Sequence, residues 1–374
     1  MIYLDYAADT PVNQLVLDSF SDTSKKYFGN ANAKHHAGEN AKYIIEKSTM
    51  EIREILNCPD MEVIYTSGAS EANNLAIKGV ARAYRENGKH IISTCLEHAS
   101  VSGTLKYLQS LGYEIDLVDI KKDGTVDLDH LKELLRSDTI LVSICYVDSE
   151  LGVRQTIEKI AEIIKAYPNC VFHVDATQAV GKIPIALDAV DLATFSPHKF
   201  FGLNGVGVLL RNEKLLLEPL IHGGMSTSSY RSGTPFTAGA AATALALKLC
   251  HEEIDNKFKL VSGKNELLKK QLNTYPLVHI NSTEHSVPHI LNLSVKGIKA
   301  QAFQMALNDF DVYVSTKSAC STDNTPSRSV YTITGNRELA RCSWRISLCH
   351  LTEEKELQEF LNIFDQCYTN LTQK

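Results

Sequence analysis

The feature that most restricts the fold of this chain is an alternation. Short apolar runs recur at residues 63–66, 90–94, 115–118, 140–146, 171–175, 191–195 and 206–210, and stretches with helical spacing separate several of them, at 41–56, 101–111 and 128–135 and in the run ending at Arg85. Strands alternating with helices specify an α/β protein with a mostly parallel central sheet flanked by helices. In such sheets ligands bind beyond the carboxyl ends of the strands. The polar and small residues that end these runs are therefore where chemistry is to be sought.

The alternation lapses after the alanine-rich helical stretch 238–249, and the remainder reads β-α-β with a final helix from Thr352 onward. A chain of 374 residues has room for one large and one smaller domain. We expect a large domain over 15–250 and a smaller α+β domain built from 1–14 and 251–374, with a polar loop at about 316–330. Lys and Arg number 38 against 44 Asp and Glu, a net charge of −6, which gives no basic footprint for nucleic acid or an anionic membrane. The opening Met1-Ile2-Tyr3-Leu4-Asp5 is unlike a signal peptide, and the longest uncharged apolar run, 236–247, is too short to span a bilayer, so a cytoplasmic protein is expected. Nine cysteines without CxxC spacing suggest neither a disulfide framework nor a zinc site; Cys95, Cys145, Cys170 and Cys250 read as small buried hydrophobes. His35-His36 has no carboxylate or thiol at ligand spacing, so no metal is expected there.

Several strand ends carry candidate functional groups. Thr194-Phe195-Ser196-Pro197-His198-Lys199 delivers a lysine into a loop that Gly202, Gly205 and Gly207 keep free of bulk. A nucleophilic lysine must be unprotonated, which calls for burial or a neighbouring positive group; a solvated surface lysine is the plain alternative. Ser67-Gly68-Ala69-Ser70-Glu71 between a strand and a helix suits a phosphate at the helix N-terminus, or an ordinary serine cap. Asp175, closing an apolar strand, asks for a positive partner such as a protonated pyridine nitrogen, unless it caps a turn. His98 lies at a strand-to-helix turn, where an imidazole can stack on a planar ring or be purely structural. Arg231-Ser232-Gly233-Thr234 suits a second phosphate contact or a surface turn. Cys320, in a polar loop, can present a thiolate or be a tolerated surface cysteine. Arg345, in an apolar frame, needs an anion, which a substrate carboxylate or a structural acid would provide.

Taken in order, Tyr3-Leu4-Asp5, Gly29-Asn30, Thr66-Ser67-Gly68-Ala69-Ser70-Glu71-Ala72-Asn73-Asn74, Glu97-His98, His173-Val174-Asp175-Ala176-Thr177-Gln178, Ser196-Pro197-His198-Lys199, Arg231-Ser232-Gly233-Thr234, Ser318-Ala319-Cys320-Ser321 and Arg345-Ile346-Ser347-Leu348 closely resemble the cysteine desulfurases of the NifS/IscS type, within the class V aminotransferases. The resemblance spans nearly the whole chain. It implies the fold type I of pyridoxal-phosphate-dependent transferases, with pyridoxal 5'-phosphate as cofactor, and conversion of L-cysteine to L-alanine with transfer of sulfur to an enzyme persulfide.

The same resemblance implies roles. Lys199 is similar to the Schiff-base lysine and proton carrier, Asp175 to the partner of the pyridine nitrogen, and His98 to the histidine stacked on the ring. Gln178 resembles the residue near the phenolic oxygen. Ala69, Ser70, Ser196 and His198 fall at cofactor-binding positions, the last three of them at phosphate contacts. Thr234 resembles a phosphate contact from the other subunit, implying a homodimer. Arg345, with Asn30 nearby, matches the holder of the substrate carboxylate, and Cys320 the sulfur-accepting nucleophile, which passes sulfur to an acceptor protein such as an iron–sulfur scaffold or a tRNA-thiolation enzyme. The chain departs from the family pattern at three places: Ser149 replaces an asparagine that contacts the cofactor, Lys317 a glycine before Ser-Ala-Cys, and Ala31 a proline after Gly-Asn. Selenocysteine lyase or another β-elimination on the same fold is the alternative activity, and a non-catalytic sulfur-transfer scaffold a third reading.

Overall fold

The computed structural model describes residues 1–316 and 325–373, so Lys317 and Cys320 lie outside the described residues. The chain begins with β1 (Ile2–Tyr3), α1 (Gln14–Lys26), α2 (His36–Ile55), β2 (Met61–Thr66), α3 (Ala69–Ala83), β3 (His90–Ser93), α4 (Ala99–Ser110) and β4 (Glu114–Leu117). It continues through α5 (Leu128–Leu134), β5 (Thr139–Cys145), α6 (Ile157–Ile164), β6 (Val171–Asp175), β7 (Leu192–Phe195), β8 (Gly207–Asn212) and α7 (Thr237–His251). The remainder is α8 (Ile254–Leu272), β9 (Val278–Ile280), β10 (Ile290–Val295), α9 (Ala300–Asn308), β11 (Val312–Tyr313), α10 (Arg328–Thr334), α11 (Arg337–Cys342), β12 (Ser343–Ser347) and α12 (Glu354–Thr372).

The central sheet has seven strands in the order β2-β8-β7-β6-β5-β3-β4. All pairings are parallel except the two made by β8, so the other strands point one way and their carboxyl ends share one edge. This is the mostly parallel α/β sheet that the alternation specifies. Strand β5 is buried along its whole length, which explains a run too uniformly apolar to alternate. Helices cover both faces: Ala72, Leu75, Ala76 and Val80 of α3 pack with Ile64, Ile91 and Leu141, while Ile157, Ile160 and Ala161 of α6 pack with Val142, Ile144 and Phe172. A second apolar cluster lies around the β12-β10-β9 sheet, where Trp344 stacks on Phe303 at 5.2 Å and Leu357, Phe360 and Phe364 of α12 close over it. Ile2 and Leu4 belong to this cluster through the parallel pairing of β1 with β11.

Two long segments differ from the sequence reading. Helices α6 and α8 occupy stretches to which the spacing assigns no element. In α8 the buried positions are Val261, Lys264, Asn265, Leu268 and Leu272, so polar residues interrupt the apolar stripe that would reveal it. Cys145, Cys170 and Cys250 are buried as expected, but Cys95 is only half-buried, its Sγ 3.3 Å from Thr332 Oγ1. His35 caps α2, its Nδ1 accepting from Gly38 N, and among the described residues no His, Cys, Asp and Glu group is arranged to hold a metal. No helix of the described residues is long and apolar enough to cross a membrane.

The reversed strand β8 has one function-bearing consequence. Its first residue, Gly207, pairs with Thr66 and lies so close to the β2–α3 turn that a Cβ there would sit 2.2 Å from the Gly68 carbonyl carbon. Gly207→Ala is therefore expected to lower stability by about 1–3 kcal/mol. Gly103→Ala in α4, where a Cβ meets nothing within 4 Å, should raise it by roughly 0.5–1 kcal/mol. Urea unfolding of the two variants beside the parent checks both signs.

Candidate active site

The carboxyl ends of β2, β3, β5, β6 and β7 open onto a cavity of about 310 Å³. Each turn contributes what its local sequence allows. After β2 the chain enters α3 through Gly68, which caps the helix without any side-chain hydrogen bond, so the first N–H groups of α3 are left for a guest; Ala69 and Ser70 line the cavity there. After β3 comes His98, after β5 Ser149, after β6 Asp175, Thr177 and Gln178, and after β7 His198 and Lys199. Ala7, Ala8 and Arg345 complete the wall.

One buried amide ties the acid to the imidazole. Asn73 is fully buried in α3, and its Nδ2 donates both to Asp175 Oδ2 at 2.8 Å and to Ser100 Oγ at 2.9 Å, while its Oδ1 accepts from Thr194 Oγ1 at 2.5 Å. Ser100 Oγ lies 2.9 Å from His98 Nδ1, which also accepts from Ser100 N at 3.2 Å. A backbone N–H can only donate, so Nδ1 carries the lone pair and the imidazole proton sits on Nε2. Burial lowers the His98 pKa below its ordinary 6.5, with Lys199 adding to the effect and Asp175 opposing it. The ring is therefore neutral at pH 7. Asp175 itself, 6% exposed, also accepts from Thr177 N at 3.0 Å, and both of these donors are neutral.

Lys199 Nζ donates to the carbonyls of Ala7 at 3.0 Å and Ala8 at 2.5 Å. Gln178 Nε2 donates to the same Ala7 carbonyl at 2.9 Å, and Gln178 Oε1 accepts from Lys182 Nζ at 2.6 Å. Arg345 is 2% exposed and has the structural acid that the sequence left as an alternative: Nη2 pairs with Asp5 Oδ1 at 2.8 Å, and Nη1 donates to Ser149 O at 2.6 Å. Its Nε is buried with no hydrogen-bond partner among the described residues. The hydroxyl of Thr177 is likewise buried without one.

Three of the expected site residues are not brought to this cavity. Asn30 is exposed and spent on a local turn, accepting from Asn32 N at 3.0 Å and Ala33 N at 2.9 Å. Ser196 is buried beneath the loop, donating to Val206 O at 2.6 Å and lying 2.8 Å from His198 Nδ1. Thr234 lines a neighbouring pocket with Ser67 and Arg231. Cys320 is outside the described residues. The sequence reading gave no role to Asn73, Thr177 or Lys182, although the first two stand inside its motifs and Lys182 follows Gln178 by four positions.

The residues present fit pyridoxal phosphate. An uncapped helix N-terminus suits its phosphate, a buried carboxylate with only neutral donors suits a protonated ring nitrogen, and the unpartnered Thr177 hydroxyl and Arg345 Nε are polar groups left for a guest.

Comparison with known proteins agrees in kind. The sequence pattern of the class-V aminotransferases matches residues 2–360. A NifS/IcsS protein homolog of Lactobacillus delbrueckii subsp. bulgaricus is 36% identical over 378 residues, covering 100% of this chain and 98% of that protein. The cysteine desulfurase IscS of Dictyoglomus turgidum is 35% identical over 99% of this chain and 95% of its own. Among solved structures, a NifS-like protein superposes over 100% of both chains with a TM-score of 0.92 at 32% identity. A NifS-like protein from Rickettsia africae gives 0.87 at 30%, covering 99% of each chain.

Beside His98, Glu97 is 4% exposed; its Oε1 accepts from Thr94 Oγ1 at 2.8 Å and Cys145 N at 2.9 Å, and its Oε2 has no partner among the described residues. Burial pushes this carboxyl from 4.5 up to about 8. Between those values the folded protein holds a proton that the unfolded chain has lost, so this group's contribution to stability falls as pH rises through that window. Glu97→Gln should flatten that part of the curve, read as urea midpoints at the two ends of the window.

Proposed function

The chain belongs to the class-V aminotransferase family, and we propose that it is a pyridoxal-phosphate-dependent cysteine desulfurase. What supports this is the convergence of Lys199, Asp175, His98 and Arg345 on one cavity, together with full-length similarity to proteins named as cysteine desulfurases. L-cysteine gives up its sulfur to the Cys320 thiol; the C–S bond breaks, an S–S bond forms, and a proton replaces sulfur on carbon. L-cysteine and the enzyme thiol thus become L-alanine and the enzyme persulfide, with no outside oxidant.

Bound in the cavity, the cofactor supplies an aldehyde for the amine and a ring that accepts an electron pair from the substrate carbon. The protein does the rest. The N-terminus of α3 with Ser70 holds the phosphate, and Asp175, fixed by Asn73 and Thr177, balances the charge on the ring nitrogen. His98, neutral with its proton on Nε2, and the Lys199 amine, once released from the carbonyls of Ala7 and Ala8, are the groups that carry protons. Arg345, whose Nε–H has no partner among the described residues, orients the substrate carboxylate. Ser149 lines the cavity at the position where the family pattern implies an asparagine, and Gln178, also on the cavity wall, would be the residue near the cofactor's phenolic oxygen.

We propose further that the protein is a homodimer in which Thr234 reaches the partner's phosphate, that residues 15–250 form the cofactor domain and 1–14 with 251–374 the smaller one, and that it acts in the cytoplasm, passing sulfur to an acceptor protein. Lys199→Ala is expected to remove the visible absorption of the cofactor-loaded enzyme. Cys320→Ala should keep that absorption and lose essentially all persulfide, measured by trapping and mass spectrometry; normal persulfide formation would refute the assigned nucleophile. A preference for selenocysteine with cysteine left nearly untouched would identify a selenocysteine lyase instead.

A further inference from the structure

Among the described residues, two carboxylates stand on the wall of the substrate cavity, Asp175 and Glu71. Asp175 suits a protonated ring nitrogen. Glu71 meets the opposite demand: it lies in the first turn of α3, beside Ala69 and Ser70, at the helix N-terminus whose open N–H groups suit a phosphate. An acid in that turn ordinarily profits from the helix dipole. Here the acid and a phosphate draw on the same dipole and repel each other. Glu71 is also held in place, because its Oε2 accepts from Ser67 N at 2.7 Å and its side chain is only 16% exposed. The cation paired with it comes from far along the chain: Arg231 Nε donates to Glu71 Oε1 at 3.0 Å, across 160 positions.

Arg231 belongs to the wall of the neighbouring pocket, with Ser67 and Thr234, and not to the cavity wall, so it is placed for Glu71 rather than for a phosphate in the cavity. The segment that carries it has ties of its own: Ser226 Oγ donates to Gly233 O at 2.5 Å, Ser232 Oγ to Gly224 O at 2.8 Å and Ser232 N to Ile221 O at 3.2 Å. The ion pair is therefore not the sole fastening of that segment. We propose that Arg231 is a positioning residue for the cofactor's phosphate: by pairing with Glu71 it cancels the acid at the N-terminus of α3 and so lets that terminus accept a dianion. Removing the guanidinium alone would leave a carboxylate beside the phosphate, whereas removing both charges would leave the helix terminus unopposed. Burial by itself would raise the Glu71 pKa, but the hydrogen bonds from Arg231 and Ser67 bring it below its ordinary 4.5, so at neutral pH the pair is charged on both sides.

This inference rests on the reading of the cavity as a pyridoxal-phosphate site. The test titrates the cofactor-free protein with pyridoxal phosphate and, separately, with pyridoxal, which lacks the phosphate, and reads dissociation constants from the visible absorption. It compares the parent with Arg231→Met, Arg231→Gln, Glu71→Gln and the double variant Glu71→Gln with Arg231→Met; glutamine at 71 keeps an acceptor for the Ser67 N–H. Loss of the guanidinium alone should weaken pyridoxal phosphate binding by about 10-fold or more and leave pyridoxal binding as in the parent. The double variant should return to within about threefold of the parent. Parent-like binding in both Arg231 variants would overturn the proposal. So would a weakening that Glu71→Gln fails to restore, the result expected if Arg231 touched the phosphate itself or only fastened its own segment, or an equal weakening for pyridoxal. Two uncharged replacements guard against one failing to fold. Absence of a visible band in the parent would sink the cofactor reading itself; thermal midpoints of the cofactor-free proteins with inorganic phosphate, raised in the parent and the double variant but not in Arg231→Met, would still decide the role of Arg231.

Discussion

The site depends first on a single buried amide. Asn73 uses both of its donors and its acceptor oxygen on partners from three other elements: Asp175 at the end of β6, Ser100 in α4 and Thr194 in β7. A buried carboxylate would ordinarily drift toward neutrality or demand a cation. Here two neutral donors hold it in one orientation and leave it open to a cationic guest. Through the Ser100 hydroxyl the same amide reaches His98 Nδ1, on which the Ser100 N–H already fixes the tautomer. Acid and imidazole are thus two ends of one network, and a change at α3 is felt at both.

A second constraint is imposed by the N-terminal segment. Ile2 and Tyr3 pair with β11, Ser347 N donates to Leu4 O, Ala7 N donates to Ser347 Oγ at 2.9 Å, and Asp5 holds Arg345. Residues from the far end of the chain therefore fix the two carbonyls on which Lys199 rests. Arg345 shows how one residue serves both a structural and a chemical need: each Nη makes one hydrogen bond to the frame, and Nε has no partner among the described residues.

Much of this was legible in the sequence because it follows from period and strand ends. The strands of the sheet, the helix after Ser67-Gly68, and the placing of His98, Ser149, Asp175, Gln178 and Lys199 at carboxyl ends all come from apolar runs broken by small or polar residues. Helix α8 was hidden because Lys264 and Asn265 are buried where apolar residues would signal a face: Lys264 Nζ reaches His350 O at 3.0 Å and Asn265 Nδ2 reaches Pro288 O at 2.8 Å. The role of Asn73 was hidden for a related reason. A polar residue in a helix reads as solvent-facing until its partners, 27, 102 and 121 positions away, are known.

The strap formed by residues 1–8 binds the fates of the two hydrophobic clusters. A shift of register between β1 and β11, or a repacking around Trp344, would slide the carbonyls of Ala7 and Ala8 and so alter the resting place of a nitrogen in the other cluster. Substitutions on either side of the strap are then tolerable only in compensating combinations, so the segment that looks least chemical in the chain is the one through which drift in one half is policed by catalysis in the other.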